Sequence, residues 1–359
     1  MVQRVDVSGK QGYPLFLGAE LGELGSHLQN TYGQDGHYLL ISNTTVAKHY
    51  AEKLSQGCHG LKLDQIIVPD GEEEKSLERI STLTEHALDL SADRDTIVLA
   101  LGGGVIGDLA GFFASIFMRG IRYIHIPTTL LSQIDSSIGG KVAVNHPSGK
   151  NILGSFHMPQ AVWTDFTTLQ TLPWKEMRNG LAETIKHTLV AEPDLFEFID
   201  DHADDIKGRN DKILKEMALR SLAVKVKIVS EDEREKGIRM LLNLGHSFGH
   251  ALETEEDYKG ITHGEGVSIG VAAAVFLAKG RDLMTGKQME RTLDLLRRLD
   301  LPTTVTGHDP HVLLQHMAAD KKNKAGHKIL ILPVGIGKST IVKDCSDEEI
   351  LRAWESVIR

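Results

Sequence analysis

The pattern of the chain predicts an α/β domain with a doubly wound, Rossmann-like parallel sheet, followed by a mostly α-helical domain. Short apolar runs alternate with helical stretches as far as Asp165, and beyond it helical periodicity takes over. One of the apolar runs passes straight into a glycine cluster that opens a helix. At 359 residues the chain is also too long for a single core of ordinary size. Two domains are therefore expected, 1–168 and 169–359, with an active site in the cleft between them.

Each element has its own signal. HYLLIS (37–42) reads as a buried strand, with a helix starting at Thr44 or Thr45. LKLDQIIVP (61–69) is a second strand, and SLERISTLTEHALDL (76–90) carries apolar residues at helical spacing. TIVLALG (96–102) is a third strand, and IRYIHIPTT (121–129) a fourth that ends at Pro127. Strands separated by helices imply parallel neighbours joined by crossovers. In the second half PWKEMRNGLAETIKHTLV (173–190) has proline at its start and helical periodicity behind it. Helices are expected near 194–206, 211–230, 246–257, 265–280 and 287–299, and strand signal returns only in KILILPV (328–334).

Composition narrows the function classes. Hydrophobic residues make up 41% and charged ones 25%, as in ordinary globular proteins. The 40 basic and 49 acidic residues give a formal charge of −9, which argues against a nucleic-acid footprint. A local cluster of cations can still hold an anionic small molecule. Only Cys58 and Cys345 are present, too few for a disulfide framework. MVQRVDVSGK has no leader-like apolar stretch, and no window reaches the ~18 apolar residues of a membrane span. The expectation is a cytoplasmic protein with no membrane partner.

LGGGVIGD sets Gly102, Gly104 and Gly107 in the G-x-G-x-x-G spacing between a strand and a helix. Glycines there allow a tight turn and let backbone N–H groups approach a pyrophosphate at a helix N-terminus. An ordinary dinucleotide fold has this turn after its first strand, with an acid about 20 residues later on the ribose. Here it follows roughly the third strand, and the segment near 122 has no carboxylate. DGEEEK (70–75) is the best replacement on the ribose side. GIGKST (335–340) resembles a phosphate-binding loop, but the required first glycine falls on Leu332, so an NTPase is not expected.

Metal-ligand types gather in the helical half. Glu183 with His187, and His246 with His250, stand at i, i+4 on one helix face, and THGEG adds His263 and Glu265. Spacing does not decide which of these are ligands. GGKVAVNHPSGKN brings Lys141, Asn145, Lys150 and Asn151 in a glycine-rich stretch expected to be neither buried strand nor long helix. Lys186, Lys225, Lys227, Arg239, Asn243 and the DKKN residues Lys321, Lys322 and Asn323 complete a set suited to a multiply anionic substrate. From the residues alone the reading is a nucleotide-using, metal-dependent enzyme acting on a phosphorylated or carboxylated small molecule.

The run GGGVIGDLAGFFAS, RG, IPTTLLSQIDSSIGGKVAVN and GKN, followed by LAETIKH, LNLGHSFGHALE and HGEGVSIG, resembles the bacterial single-function 3-dehydroquinate synthase family. The match runs in order from about residue 40 to 338. It implies zinc, or cobalt, on Glu183, His246 and His263. This moves His250 to the substrate side and drops His187. It implies NAD on Asp70, Gly71, Glu72, Glu73, Glu74 and Lys75, on Gly103, Gly104, Val105, Ile106, Gly107 and Asp108, on Thr128, Thr129, Lys141 and Lys150, and on Thr168, Leu169, Gln170 and Thr171. The implied substrate cage is Arg119, Asp135, Asn151, Lys225, Arg239 and Lys321 or Lys322, with Lys141, Lys186, Asn243 and His250 near the chemistry and Glu235 as a proton acceptor. Arg119 matches an arginine passed across a subunit interface, which implies a homodimer. The implied reaction turns an anionic sugar-acid phosphate, 3-deoxy-D-arabino-heptulosonate 7-phosphate, into 3-dehydroquinate. It proceeds by transient oxidation at C5, β-elimination of phosphate, return of the hydride and aldol closure. Lys225 and Arg239 favour this carboxylated substrate over glucose 6-phosphate, which a related cyclase would use.

Overall fold

The computed structural model describes all residues except Met1, Lys10, Lys236, 257–259 and 320–328. It divides into two compact units, Met1–Leu172 and Pro173–Arg359.

In the first unit, β-branched and aliphatic runs form strands and the segments between them cap into helices. Its elements are β1 (Gln3–Val7), β2 (Tyr13–Leu17), α1 (Leu24–Tyr32), β3 (His37–Asn43), α2 (Thr44–Gly57), β4 (Lys62–Val68), α3 (Leu77–Asp89), β5 (Ile97–Gly102), α4 (Gly104–Ile116), β6 (Arg122–Pro127), β7 (Lys141–His146), β8 (Gly149–Phe156) and β9 (Ala161–Thr164). Asn43 and Ser76 start α2 and α3 by accepting backbone N–H bonds from Val46 and Arg79, which leaves fewer amides unsatisfied at those ends. The seven-stranded sheet has the order β1-β2-β9-β6-β5-β3-β4, parallel throughout except for the β1–β2 pair. Alternate residues of β3 serve opposite cores: Leu39 and Ile41 pack toward α3 and α4, Tyr38 and Leu40 toward α1 and α2. That double burial is why β3 and β5 read as unbroken apolar runs.

Sheet order explains the unusual place of the glycine turn. From β3 the chain winds outward to β4 and then returns to β5 on the other side of β3. The winding reverses there, and in open α/β sheets ligands bind at such a reversal, beyond the carboxyl ends of the strands. The glycine turn ends β5 and DGEEEK follows β4, so both flank it.

The lysine-bearing stretch 139–151, expected to be neither buried strand nor long helix, is the antiparallel hairpin β7–β8, whose second strand has no buried residue. Val142 and Val144 are buried while their neighbours face outward, an alternation short enough to be hidden by the flanking glycines. The edge pair β1–β2 and the short strand β9 leave little signal in the sequence, because runs of four or five residues are too short to show a clear period.

The second unit comprises α5 (Trp174–Ala191), α6 (Pro193–Asp201), α7 (Ala203–Lys207), α8 (Asp211–Glu231), α9 (His246–Glu255), α10 (His263–Gly280), α11 (Gly286–Arg298), α12 (Pro310–Ala319), β10 (Leu330–Pro333), β11 (Ser339–Val342) and α13 (Asp347–Glu355). GIGKST proves to be the turn and second strand of the β10–β11 hairpin, which removes the phosphate-loop resemblance. Helix α10 is buried along almost its whole length and packs on both α9 and α5. Small residues make that possible. A Cβ on Gly270 would stand 2.0 Å from the Gly245 carbonyl oxygen, and one on Gly264 would stand 2.3 Å from the Asn179 Cα. These close approaches carry the first residues of α9 and α10 onto the buried middle of α5. Among the described residues no helix is long and apolar enough to cross a membrane.

Candidate functional site

The second unit gathers one carboxylate and two imidazoles. Glu183 is fully buried, and its Oε1 lies 3.5 Å from His246 Nε2 and 3.4 Å from His263 Nε2. All three ligand atoms fall within 4.8 Å of one another. Ligands ~2.0–2.1 Å from a shared tetrahedral ion stand ~3.3 Å apart, so this spacing fits a divalent metal held by two histidines and a glutamate. Lys186, one turn along α5 and buried, donates to the other oxygen of Glu183. The remaining candidates take other positions. His187 meets Ser221 Oγ at 2.8 Å, and Glu265 closes the capping box of α10 with Thr262 while pairing with Arg178. His250 stands with its ring 5.4 Å from that of His246.

A residue that sequence reasoning missed completes the cluster. Glu253, buried on α9, accepts from His263 Nδ1 at 2.9 Å. A carboxylate can only accept, so Nδ1 carries the proton and Nε2 is left facing Glu183, the arrangement that orients metal-bound histidines. Glu253 lies seven residues after His246, on the same helix face, and that spacing was the available signal. Charge at the cluster is finely divided. Burial holds His246 well below the usual imidazole range. At His263 burial acts in the same direction, but Glu183 and Glu253 outweigh it and push the pKa up to about 10.

The same unit holds the expected anion-binding residues. Lys225 and Arg239 are buried, whereas Lys227 is exposed. The Arg239 guanidinium donates to the Glu233 carbonyl, and the backbone N–H groups of Arg239 and Gly237 converge on Asp232. Asn243 Nδ2 donates to Glu235 at 2.7 Å, with Glu235 in a left-handed backbone conformation at φ 56°. Lys321, Lys322 and Asn323 lie outside the described residues.

In the first unit, the amino end of α4 opens at Gly103 with no side-chain cap. A Cβ on Gly103 would meet the Thr129 methyl at 2.9 Å, and one on Gly104 would come to 3.4 Å from Ser136 Oγ. Bare backbone N–H groups in a cradle that a side chain would fill suit a pyrophosphate. Gly107 is fixed differently, since a Cβ there would strike the buried His125 ring. Ile106 and Leu169 are buried, so only their backbone is available to a cofactor. Asp70 accepts from Asn43 Nδ2 and Thr45 Oγ1, each at 2.7 Å, which ties the end of β4 to the start of α2. Lys75 is buried and donates at 2.7 Å to both Asp108 and Asn151. Buried Thr128 follows β6; Thr129 bonds Ser132, and Thr168 and Thr171 face Gln133 and Tyr50. Lys141 is exposed at the head of β7, Lys150 is half-buried on β8 and Asp135 sits in a π-helical turn. Arg119 is exposed at φ 72°, in a left-handed turn after α4 beside exposed Ile116 and Met118.

Two family models match in tandem: 3-dehydroquinate synthase N-terminal over residues 65–179, and 3-dehydroquinate synthase C-terminal over 180–323. A 3-dehydroquinate synthase from Colwellia psychrerythraea is 40% identical over 343 residues, covering 95% of this chain and 97% of that one. The chain belongs to the 3-dehydroquinate synthase family. This 3-dehydroquinate synthase family chain also shares its fold with two solved cyclases. The 2-epi-5-epi-valiolone synthase from Streptomyces hygroscopicus subsp. jinggangensis, with NAD+ and Zn2+ bound, has a TM-score of 0.89 at 29% identity, with 99% of each chain covered. A 2-deoxy-scyllo-inosose synthase in complex with carbaglucose-6-phosphate, NAD+ and Co2+ has a TM-score of 0.86 at 28% identity, covering 99% of this chain and 100% of that one.

Proposed function

We propose that this member of the 3-dehydroquinate synthase family converts 3-deoxy-D-arabino-heptulosonate 7-phosphate to 3-dehydroquinate and phosphate, with NAD and zinc or cobalt. The observation that carries the reading is the cluster of Glu183, His246 and His263, at ligand spacing in a chain of this family. When bound, NAD supplies a reversible hydride acceptor and the metal a Lewis acid at the substrate hydroxyls. The chain's own residues do the rest. The uncapped glycine turn, the segment Asp70–Lys75 and Thr168–Thr171 hold the dinucleotide. Lys225 and Arg239, both buried cations, hold the substrate carboxylate, which glucose 6-phosphate lacks. Lys141, Asn151, Asn243 and His250 hold and orient the substrate phosphate, and that phosphate takes the proton released beside the new ketone. Lys186 donates to Glu183, while Asp135 helps to hold the substrate and Glu235 serves as a proton acceptor. Positioning of this kind is worth ~7–11 kcal/mol of a barrier.

We further propose that the protein works as a cytoplasmic homodimer, with Arg119 reaching the partner's substrate. Free Cys58 and Cys345 suit a reducing compartment, and the exposed Ile116 and Met118 beside Arg119 suit a covered face. The test of substrate class is a direct comparison of kcat/KM on the heptulosonate phosphate and on glucose 6-phosphate. The reading expects turnover of the first alone. Preference for glucose 6-phosphate would move the chain to the inosose-type cyclases.

A further inference from the structure

The hairpin β7–β8 carries Lys141, Lys150 and Asn151, and the segment 70–75 lies on the cofactor side of the same unit. One side chain that the proposed function leaves without a role, Asn145, joins them. The hairpin register shifts between Val144 and His146, which takes Asn145 out of the ladder. Its backbone N–H turns away and donates to the Lys75 carbonyl at 2.7 Å. Its Nδ2 donates to Glu72 Oε1 at 2.8 Å, and its Oδ1 accepts the Asn151 N–H at 3.0 Å. Bulges of this kind re-aim a residue out of the strand pattern, and they concentrate beside active sites. Asn151 sits at φ 54°, a left-handed conformation that asparagine tolerates and that its bond to Asn145 supports. The Lys75 ammonium, which can only donate, takes Asn151 Oδ1 and thereby turns the Asn151 Nδ2 donors away from itself.

We infer that Asn145 is a positioning residue that latches the cofactor segment 70–75 to the hairpin, so that the state of the NAD side is felt by the residues that hold the substrate. The inference rests on the proposed function for the identity of the two ligands. It adds a physical link between their sites: three polar groups of one asparagine bind both segments at once. Ordering either segment therefore lowers the cost of ordering the other, which is positive coupling. A second path exists through Lys75, whose ammonium also reaches Asn151 and stands 3.7 Å from Glu72. The experiment has to separate the two.

A double-mutant cycle does so, read as KM for the heptulosonate phosphate at saturating NAD. Glu72→Ala is expected to raise KM about tenfold in the wild-type background and to have no further effect in Asn145→Ala, while kcat falls less than KM rises. The same factor in both backgrounds assigns the link to Lys75, and no effect in either removes the link; both outcomes overturn the inference. Thermal unfolding of each variant is followed alongside. If Asn145→Ala fails to fold, Asn145→Asp takes its place in the cycle, since a carboxylate keeps the shape and the Asn151 contact but cannot donate to Glu72. If the wild-type protein does not release phosphate from the sugar phosphate, the functional reading fails on its own. The cycle is then read as NAD affinity by calorimetry with Asn151→Ala in place of Glu72→Ala. There the inference expects Asn151→Ala to weaken NAD only when Asn145 is present, and any other pattern overturns it.

Discussion

At the scale of single residues the metal cluster rests on one proton count. Between its two carboxylates His263 has a pKa of about 10, so without metal it is an imidazolium at neutral pH. A metal takes its Nε2 lone pair and must expel that proton, while Nδ1 keeps its own on Glu253. Below pH 10 metal affinity should therefore rise with pH, by about tenfold per unit, with about one proton released per ion. Calorimetry in buffers of different ionisation enthalpy measures that proton directly, and a pH-independent affinity would contradict the assignment. Glu253→Ala should weaken metal binding about 10–100-fold, read by chelator competition, because Nδ1 loses the acceptor that fixes the tautomer. Glu253 was legible in hindsight from the helical spacing alone. The choice of ligands among Glu183, His187, His246, His250, His263 and Glu265 was not, since i, i+4 spacing places residues on one face without saying what that face meets. Family resemblance made the choice; in the structure His187 Nδ1 meets Ser221 and Glu265 caps α10, while His250 also stands at ligand spacing with Glu253 and His263.

Elements bring these residues together through close backbone approach. Gly270 lies against the Gly245 carbonyl so tightly that Gly270→Ala should force α9 from α10, costing ~1–3 kcal/mol and weakening metal binding in parallel. Denaturant unfolding and metal titration of that variant check both, and loss of stability with unchanged metal affinity would separate the helix contact from the site. Arg281, at the C-terminal end of α10, bonds Glu349 of α13 at 2.7 Å and Asp344, just before that helix, at 2.8 Å. The Arg281 guanidinium holds the Glu349 carboxyl down at about 2, against an ordinary 4.5. A carboxyl depressed by folding stabilises above its unfolded pKa and loses that contribution as pH falls through the folded one. Arg281→Ala should thus cost ~1 kcal/mol at pH 7, and the deficit should shrink between pH 4.5 and about 2. Unfolding midpoints of the two proteins across that range test it. The long buried elements of the first unit were readable from sequence, because β3, β5 and β6 bury both faces and show as unbroken apolar runs. The hairpin β7–β8 was not, since its buried face amounts to Val142 and Val144 between glycines and lysines.

At the scale of the molecule, sequence placed a nucleotide-binding α/β half before a metal-bearing helical half, and the two compact units follow that order. The glycine turn looked misplaced in the sequence because strand order in space is not order in the chain. β5 neighbours β3, where the winding reverses, so a turn late in the chain still stands at the ligand-binding edge of the sheet. No spacing rule could have shown that. In the proposed reaction redox is internal, with NAD consumed and restored within each turnover. The most direct measurement follows phosphate release from the heptulosonate phosphate with metal and substoichiometric NAD, while absorbance in the NADH band is recorded. Many phosphates per NAD with no accumulating NADH is the predicted result. NADH building up without phosphate release would make the protein a dehydrogenase and contradict the account.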